Sequence, residues 1–385
     1  MKTAKKNSFQ SPKLAAPPVF VVGYMHSGTT LLINILRNNS TVFAGNRETK
    51  YFLHLPMIRK TFPDLADDRI LRNFVFYVIA VVKTGFSKNK LSANGDSRFS
   101  LDWFGGERKF ADELLSEAKN CRDYAKMFRL VSDYLTIASK KTRWVEKTPT
   151  HVFHIDEIVG AVPDALFVEI KRDARDVLAS KKTRRSEVWK SDKYADKRQH
   201  KNLEKAFDSF WDALSWQTAV RAGESAAAKY PEKFYSVRYE DLVKNPEQTV
   251  RQICAFAGMD FEPEMLEITT RNSAVSDENE TKQKGIVSTS VGRWQSVLTP
   301  AEIAVIQWRA GSELKKAGYE IKDTSFTDNL KIPFVLLKSG FEFFQRSYRR
   351  WRLGGWLYFQ SVFANYLKRL NLLTRQRPNR SFPET

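Results

Sequence analysis

Hydrophobic positions along the chain follow two patterns that take turns. Short unbroken apolar runs, led by Val19-Phe20-Val21-Val22, have the length and β-branched content of strands buried on both faces. Comparable runs recur at Thr41 to Ala44, Arg143 to Val145, Ala165 to Ile170 and Phe234 to Val237. Elsewhere apolar residues return every three or four positions, as at Leu31, Leu32, Ile35 and Leu36, which predicts helices. Helix-like sequence follows the strands at Val152 to Val159, Ala174 to Arg185 and Pro246 to Ala257, where Pro246 suits a first helical turn. This alternation predicts an α/β chain with a central parallel sheet between two helical layers.

Three stretches depart from it. Pro56 to Lys140 is helical in pattern and rich in aromatic residues, with Trp103-Phe104-Gly105-Gly106 inside it, and reads as an insertion over about 56–140 beside the substrate. Ser186 to Ala227 reads as a helical excursion with Phe207, Phe210, Trp211 and Leu214 at helical spacing. Near the end, Phe334, Leu337, Phe341, Phe344, Tyr348 and Trp351 recur at three- and four-residue steps, and so do Trp356, Phe359, Phe363, Tyr366, Leu370 and Leu373, with Gly354-Gly355 between the two sets. Two amphipathic helices are expected there. The resulting division is a flexible basic leader over 1–18, a structured body over 19–325 and a basic aromatic extension over 326–385.

With 385 residues and 42% apolar content the chain can fill a sizeable core, which excludes a disordered or fibrous protein. Its two cysteines, Cys121 and Cys254, lack ligand spacing and form no disulfide framework, so a reducing compartment is expected. The net charge of +19 sits mainly at the ends: four lysines and no acid up to Lys13, and a net +9 from Lys331 onward. A mildly basic body argues against nucleic acid as the partner. The longest apolar run, Phe74 to Val82, is too short to span a bilayer, so a cytoplasmic protein, peripheral on membranes, is expected. Aromatic anchors beside arginines suit an anionic membrane surface, and packing against protein is the alternative for the extension.

Candidate chemistry begins at Gly23-Tyr24-Met25-His26-Ser27-Gly28-Thr29-Thr30, where a strand turns into a helix. Backbone N–H groups there can cradle an anion. The spacing matches the phosphate loop GxxxxGK[ST] except that Thr29 stands in place of the lysine that reaches the terminal phosphates of ATP or GTP. An ordinary nucleotide hydrolase or kinase is thereby disfavoured. The plainer alternative is a glycine turn joining strand to helix.

Ser27-Gly28-Thr29-Thr30-Leu31-Leu32 resembles the 5′-phosphosulfate-binding loop of sulfotransferases that use 3′-phosphoadenosine 5′-phosphosulfate (PAPS), among them the carbohydrate and tyrosylprotein enzymes. The resemblance extends through Phe167 to Ser180, where the family's second strand-loop-helix holds the 3′-phosphate; it implies Arg172 and Ser180 for that role. Val237-Arg238-Tyr239-Glu240-Asp241-Leu242 with Asn245-Pro246-Glu247, and Gly292-Arg293-Trp294 with Leu298-Thr299, continue it in the family's order across about Val19 to Lys315. Arg293 and Trp294 correspond to the late loop that covers the nucleotide. The resemblance implies a P-loop-like fold and PAPS as donor co-substrate, bound by His26, Ser27, Gly28, Thr29, Thr30, Arg172, Ser180, Arg293 and Trp294. A run of solvated surface ion pairs is the competing reading of Arg172, Asp173, Arg175 and Asp176.

Sulfuryl transfer to a hydroxyl requires removal of the acceptor proton and stabilisation of the departing phosphate. Arg47-Glu48-Thr49-Lys50-Tyr51-Phe52 resembles the lysine-glutamate-x-x-aromatic segment of carbohydrate sulfotransferases, which implies Glu48 as general base. Glu146-Lys147-Thr148-Pro149 resembles a segment whose lysine approaches sulfate and acceptor, which implies Lys147. His26 departs from the family, where lysine or arginine precedes the serine; as imidazolium it can neutralise the leaving phosphate, with Lys147 as the other cation available. His151 and His154 are further candidate bases, and no carboxylate motif completes a metal site. The function expected is PAPS-dependent sulfuryl transfer to a hydroxyl on a small molecule, glycan, glycolipid or other lipid-linked acceptor. The alternatives are a nucleotide-dependent kinase of the same fold and a non-enzymatic RNA- or membrane-binding module.

Overall fold

The computed structural model describes residues 14–86, 108–190, 207–268, 285–286, 288–345, 347–348 and 352. Most of the leader, the Trp103-Phe104-Gly105-Gly106 stretch and the second of the two terminal amphipathic segments lie outside them. The chain forms two compact units, one from 1–171, 226–270 and 282–286 and the other from 172–225, 271–281 and 287–385.

The first unit holds five strands: β1 (Val19–Gly23), β2 (Val42–Ala44), β3 (Arg143–Lys147), β4 (Leu166–Lys171) and β5 (Phe234–Arg238). All pair in parallel, in the order β2-β3-β1-β4-β5. Since β1 lies in the middle with both faces covered, it is apolar at every position from Val19 to Val22, as its unbroken run predicts. From β1 the chain first builds β2 and β3 on one side, then β4 and β5 on the other. The strand order therefore reverses at β1, and the carboxyl ends of strands at such a switch are where open α/β sheets bind ligands.

One sheet face packs on helix α1 (Thr29–Arg37) and on Leu242, Val250 and Ile253 of the segment after β5. The other carries aromatic residues: Phe20 lies 5.2 Å from Trp144 and 5.6 Å from Phe167, with Phe52 and Phe128 alongside. The described part of the interruption after β2 is helical, in α2 (Tyr51–Thr61), α3 (Asp68–Thr84), α4 (Arg108–Cys121) and α5 (Tyr124–Ala138). Asp67 and Asp123 cap α3 and α5 by accepting backbone N–H bonds from their first turns.

The helix expected over Val152 to Val159 is broken. A 3₁₀ turn at Pro149–Phe153 precedes α6 (Ile155–Ala161), because His154 leaves helical dihedrals while His151 is drawn into the core.

The second unit contains α7 (Ala174–Lys190), most of α8 (Ser209–Lys229), α11 (Trp294–Val297), α12 (Pro300–Lys316) and α13 (Phe326–Leu330); α9 (Tyr239–Lys244) and α10 (Pro246–Ala257) belong to the first. Residues 332–345 continue as helix. That helix packs with the face opposite to its aromatic stripe: Ser339 donates to Asp208 Oδ1 at 3.0 Å, and Phe343 stacks on Trp211 at 4.7 Å. Phe334, Leu337, Phe341, Phe344 and Tyr348 are instead 58% to 75% exposed. Among the described residues no helix is long and apolar enough to cross a membrane.

Candidate active site

The loop after β1 is shaped by close backbone approach. Gly23 has φ 142°, and a β-carbon there would lie 2.6 Å from the carbonyl oxygen of Ile170. Gly28 has φ 102°, and its β-carbon would lie 2.4 Å from the Tyr239 ring. His26 is also left-handed, at φ 66°. These turns bring the chain to α1 with Gly28 as N-cap and no side chain capping the first turn. The first-turn N–H groups of α1 thus receive no side-chain cap. Ser27 is 1% exposed and its Oγ has no hydrogen-bond partner among the described residues, which suits a phosphate oxygen. Thr29, at the place of the missing lysine, is buried, and Thr30 is exposed.

Lys147 ends β3 next to β1, in register with Val21. Its Nζ donates to Glu48 Oε1 at 3.0 Å, and Lys50 approaches Glu48 Oε2 at 3.5 Å. Two residues singled out in the sequence, 99 positions apart, thus form one ion pair. A carboxylate has about four lone-pair sites, so each Glu48 oxygen keeps acceptor capacity. Lys147 of this pair lines a cavity together with Thr30 near the start of α1, Arg37 and Arg47.

Next to this pair lies a network that sequence reasoning missed. Glu146 is 4% exposed; its Oε1 accepts from Thr49 Oγ1 at 2.7 Å and Thr148 Oγ1 at 2.6 Å, and its Oε2 meets His151 Nδ1 at 3.0 Å. Burial pushes this carboxyl up, but the charge and hydrogen bond of His151, with the two threonines, outweigh it and hold the group below its ordinary value. His151 is fully buried, whereas His154 pairs with Glu157 at 2.7 Å. The available signal was Glu146 on the same strand face as Trp144, where alternation leaves a carboxylate facing the core. Among the described residues no cluster of three or more potential metal ligands occurs.

In the second unit, Arg172, Asp173, Arg175 and Asp176 are all buried, which overturns the reading of a solvated charge run. Arg175 forks onto Asp173 at 2.7 to 3.2 Å, reaches Gln307 Oε1 at 2.9 Å and lies over the Trp294 ring at 4.2 Å. Arg172 donates to the carbonyl oxygen of Ser290 at 2.5 Å and accepts from Trp216 Nε1 at its own carbonyl at 3.0 Å. Asp176 accepts from the backbone N–H groups of Gly292 at 2.7 Å and Trp294 at 3.0 Å. That carboxylate joins the Arg172 segment to the Gly292-Arg293-Trp294 segment. Ser180 lies on α7, partly exposed, and Arg293 is the N-cap of α11.

A family model described as Sulfotransferase family matches residues 17–263. The chain belongs to the sulfotransferase family. Solved structures resembling this family member include the sulfotransferase domain of the Synechococcus PCC 7002 olefin synthase, 18% identical, with TM-score 0.50 over 82% of this chain and 99% of that one. The sulfotransferase domain from the curacin biosynthetic pathway is 17% identical, with TM-score 0.46 over 80% of this chain and 100% of that one. Retinol dehydratase, solved with retinol and PAP, is 12% identical, with TM-score 0.35 over 82% of this chain and 86% of that one. An uncharacterized protein of Aquifex aeolicus (strain VF5) is 24% identical over 294 residues, 75% of this chain; the match spans 32% of that relative's length.

Proposed function

We propose that this protein transfers the sulfuryl group of PAPS to a hydroxyl of a glycan, glycolipid or other lipid-linked acceptor. The observation that carries the reading is the ion pair of Glu48 with Lys147 at the carboxyl end of the sheet, Lys147 also lining a cavity with Thr30 of the helix that follows the phosphate loop.

The loop amides and Ser27, Gly28, Thr29 and Thr30 bind the 5′ end of the donor; Arg172 and Ser180 hold its 3′-phosphate, and Arg293 and Trp294 cover the nucleotide. PAPS supplies an activated sulfur joined to a good leaving phosphate. Glu48 takes the proton as the acceptor oxygen bonds to that sulfur and the bond to the 5′-phosphate oxygen breaks. Lys147 and His26 neutralise the charge gathering on that oxygen. The scheme requires no metal. The setting proposed for this reaction is cytoplasmic. The exposed aromatic stripe of 332–348, within the extension over 326–385, is the surface for an anionic bilayer, where lipid-linked acceptors would be met.

Calorimetric titration with 3′-phosphoadenosine 5′-phosphate (PAP), together with transfer of radiolabel from PAPS to a panel of glycan and lipid hydroxyls, tests the reading. Glu48→Gln should bind PAP like wild type and lose roughly 10²–10⁴-fold in turnover. Wild-type turnover in that variant removes Glu48 as base. ATP consumption without PAP affinity would select a kinase instead.

A further inference from the structure

The segments 48–49 and 146–147 face each other as two stacked pairs. Successive side chains of a strand point to opposite sides, so Glu146 is turned to Thr49 while its neighbour Lys147 is turned to Glu48. From this geometry we infer that Glu146, Thr49 and Thr148 are positioning residues: their buried hydrogen bonds set the register in which Glu48 is presented to Lys147. The inference rests on reading Glu48 and Lys147 as the reacting pair.

The bonds form a closed set. Thr148 Oγ1 donates to Glu146 Oε1 and accepts the backbone N–H of Lys50 at 3.0 Å. Thr49 Oγ1 donates to the same carboxylate oxygen, and its backbone N–H approaches it at 3.4 Å. Lys50 stands at φ 49°, ψ 24°, a left-handed conformation that a residue with a β-carbon holds only when its surroundings over-determine it. Here the bond from its N–H to Thr148 supports that conformation at the turn between Glu48, whose carbonyl accepts from the Phe86 N–H at 3.0 Å, and the start of α2 at Tyr51. His151, fully buried against Phe20 and Phe52, fixes the second carboxylate oxygen so that the first stays aimed at the threonines. A purely structural role at this depth would be served by apolar packing, whereas a buried carboxylate with three directional partners specifies one arrangement.

The test uses the full chain with Thr148→Val, which keeps shape and removes the hydroxyl, and Thr148→Ser, which restores it. Amide hydrogen exchange at Lys50, measured without ligand, should speed up at least tenfold in Thr148→Val and return to the wild-type rate in Thr148→Ser. Sulfuryl transfer from PAPS should fall roughly ten- to a hundredfold in kcat in the first variant, with PAP affinity within twofold of wild type. Unchanged exchange at Lys50 overturns the inference, as does faster exchange with full turnover, or a loss of PAP affinity in step with turnover. A wild-type chain that binds PAP yet transfers nothing would refute the proposed reaction, and the positioning of the turn would then stand or fall on the exchange rates alone.

Discussion

Replacing Gly28 by alanine puts a methyl group where the loop between β1 and α1 has no room for one. A β-carbon there would sit 2.4 Å and 2.9 Å from two carbons of the Tyr239 ring and 3.1 Å from Ile170 Cδ1. Carbon–carbon contacts are comfortable at about 3.5–4.0 Å, so the loop must retreat by about 1 Å or the ring must swing. Overpacking of this kind costs about 1–3 kcal/mol. Holding alanine at a positive φ adds roughly 1–2 kcal/mol. The lower chain entropy of unfolded alanine returns about 0.4–1 kcal/mol, which leaves a loss of about 1–5 kcal/mol. A loop moved by 1 Å also misaims its N–H groups, and each hydrogen bond to a charged group is worth about 1.5–3 kcal/mol, so PAP affinity should fall at least tenfold. Urea unfolding and calorimetric titration with PAP measure the two effects. Adding Tyr239→Ala should give a double variant whose loss is smaller than the sum of the single losses by at least about 1 kcal/mol, because the ring that clashes is gone. A Gly28→Ala protein within about 0.5 kcal/mol of wild type that binds PAP equally well would refute the reasoning.

Asp176→Ala strands the N–H groups of Gly292 and Trp294, and a stability loss of about 2–4 kcal/mol is expected, with faster proteolysis near Arg293 as the readout. Because the folded Glu146 carboxyl lies below its unfolded value of about 4.3, its contribution to stability is complete above that pH and is lost as pH falls through the folded value. Denaturant midpoints from pH 7 to 3 should therefore fall less steeply in Glu146→Gln. His26→Lys should keep PAPS turnover and His26→Ala should reduce it at least tenfold, as a steady-state assay can show. Combined Phe334→Ser, Phe341→Ser and Phe344→Ser should weaken co-sedimentation with anionic vesicles at least tenfold, since each buried phenyl contributes roughly 1.5–3 kcal/mol.

Much of this molecule is legible one residue at a time. Strand runs are unbroken because β1 is covered on both faces, and an apolar run bounded by Pro17-Pro18 and Gly23 can be little else. The turn from β1 into α1 announces itself through the spacing of its glycines, since Gly23 and Gly28 take positive φ values that glycine alone adopts readily. Arg172 and its neighbours show the opposite case. Their sequence is that of a surface ion-pair run, and burial together with Trp294, Gln307 and the N–H of Gly292 makes them an interior network.

Periodicity likewise marked the stripe of Phe334, Leu337 and Phe341 without telling which side of that helix meets protein; Ser339 and Phe343 make the contact instead. Local pattern thus determined the elements, their order and the glycine-bearing turn after β1, because propensity and steric limits act over a few residues. Partnerships between distant residues, Glu48 with Lys147 and Glu146 with Thr49, were decided only by the tertiary structure. Strand order and register set which chain segments become neighbours, and neither is encoded in any one stretch of the chain.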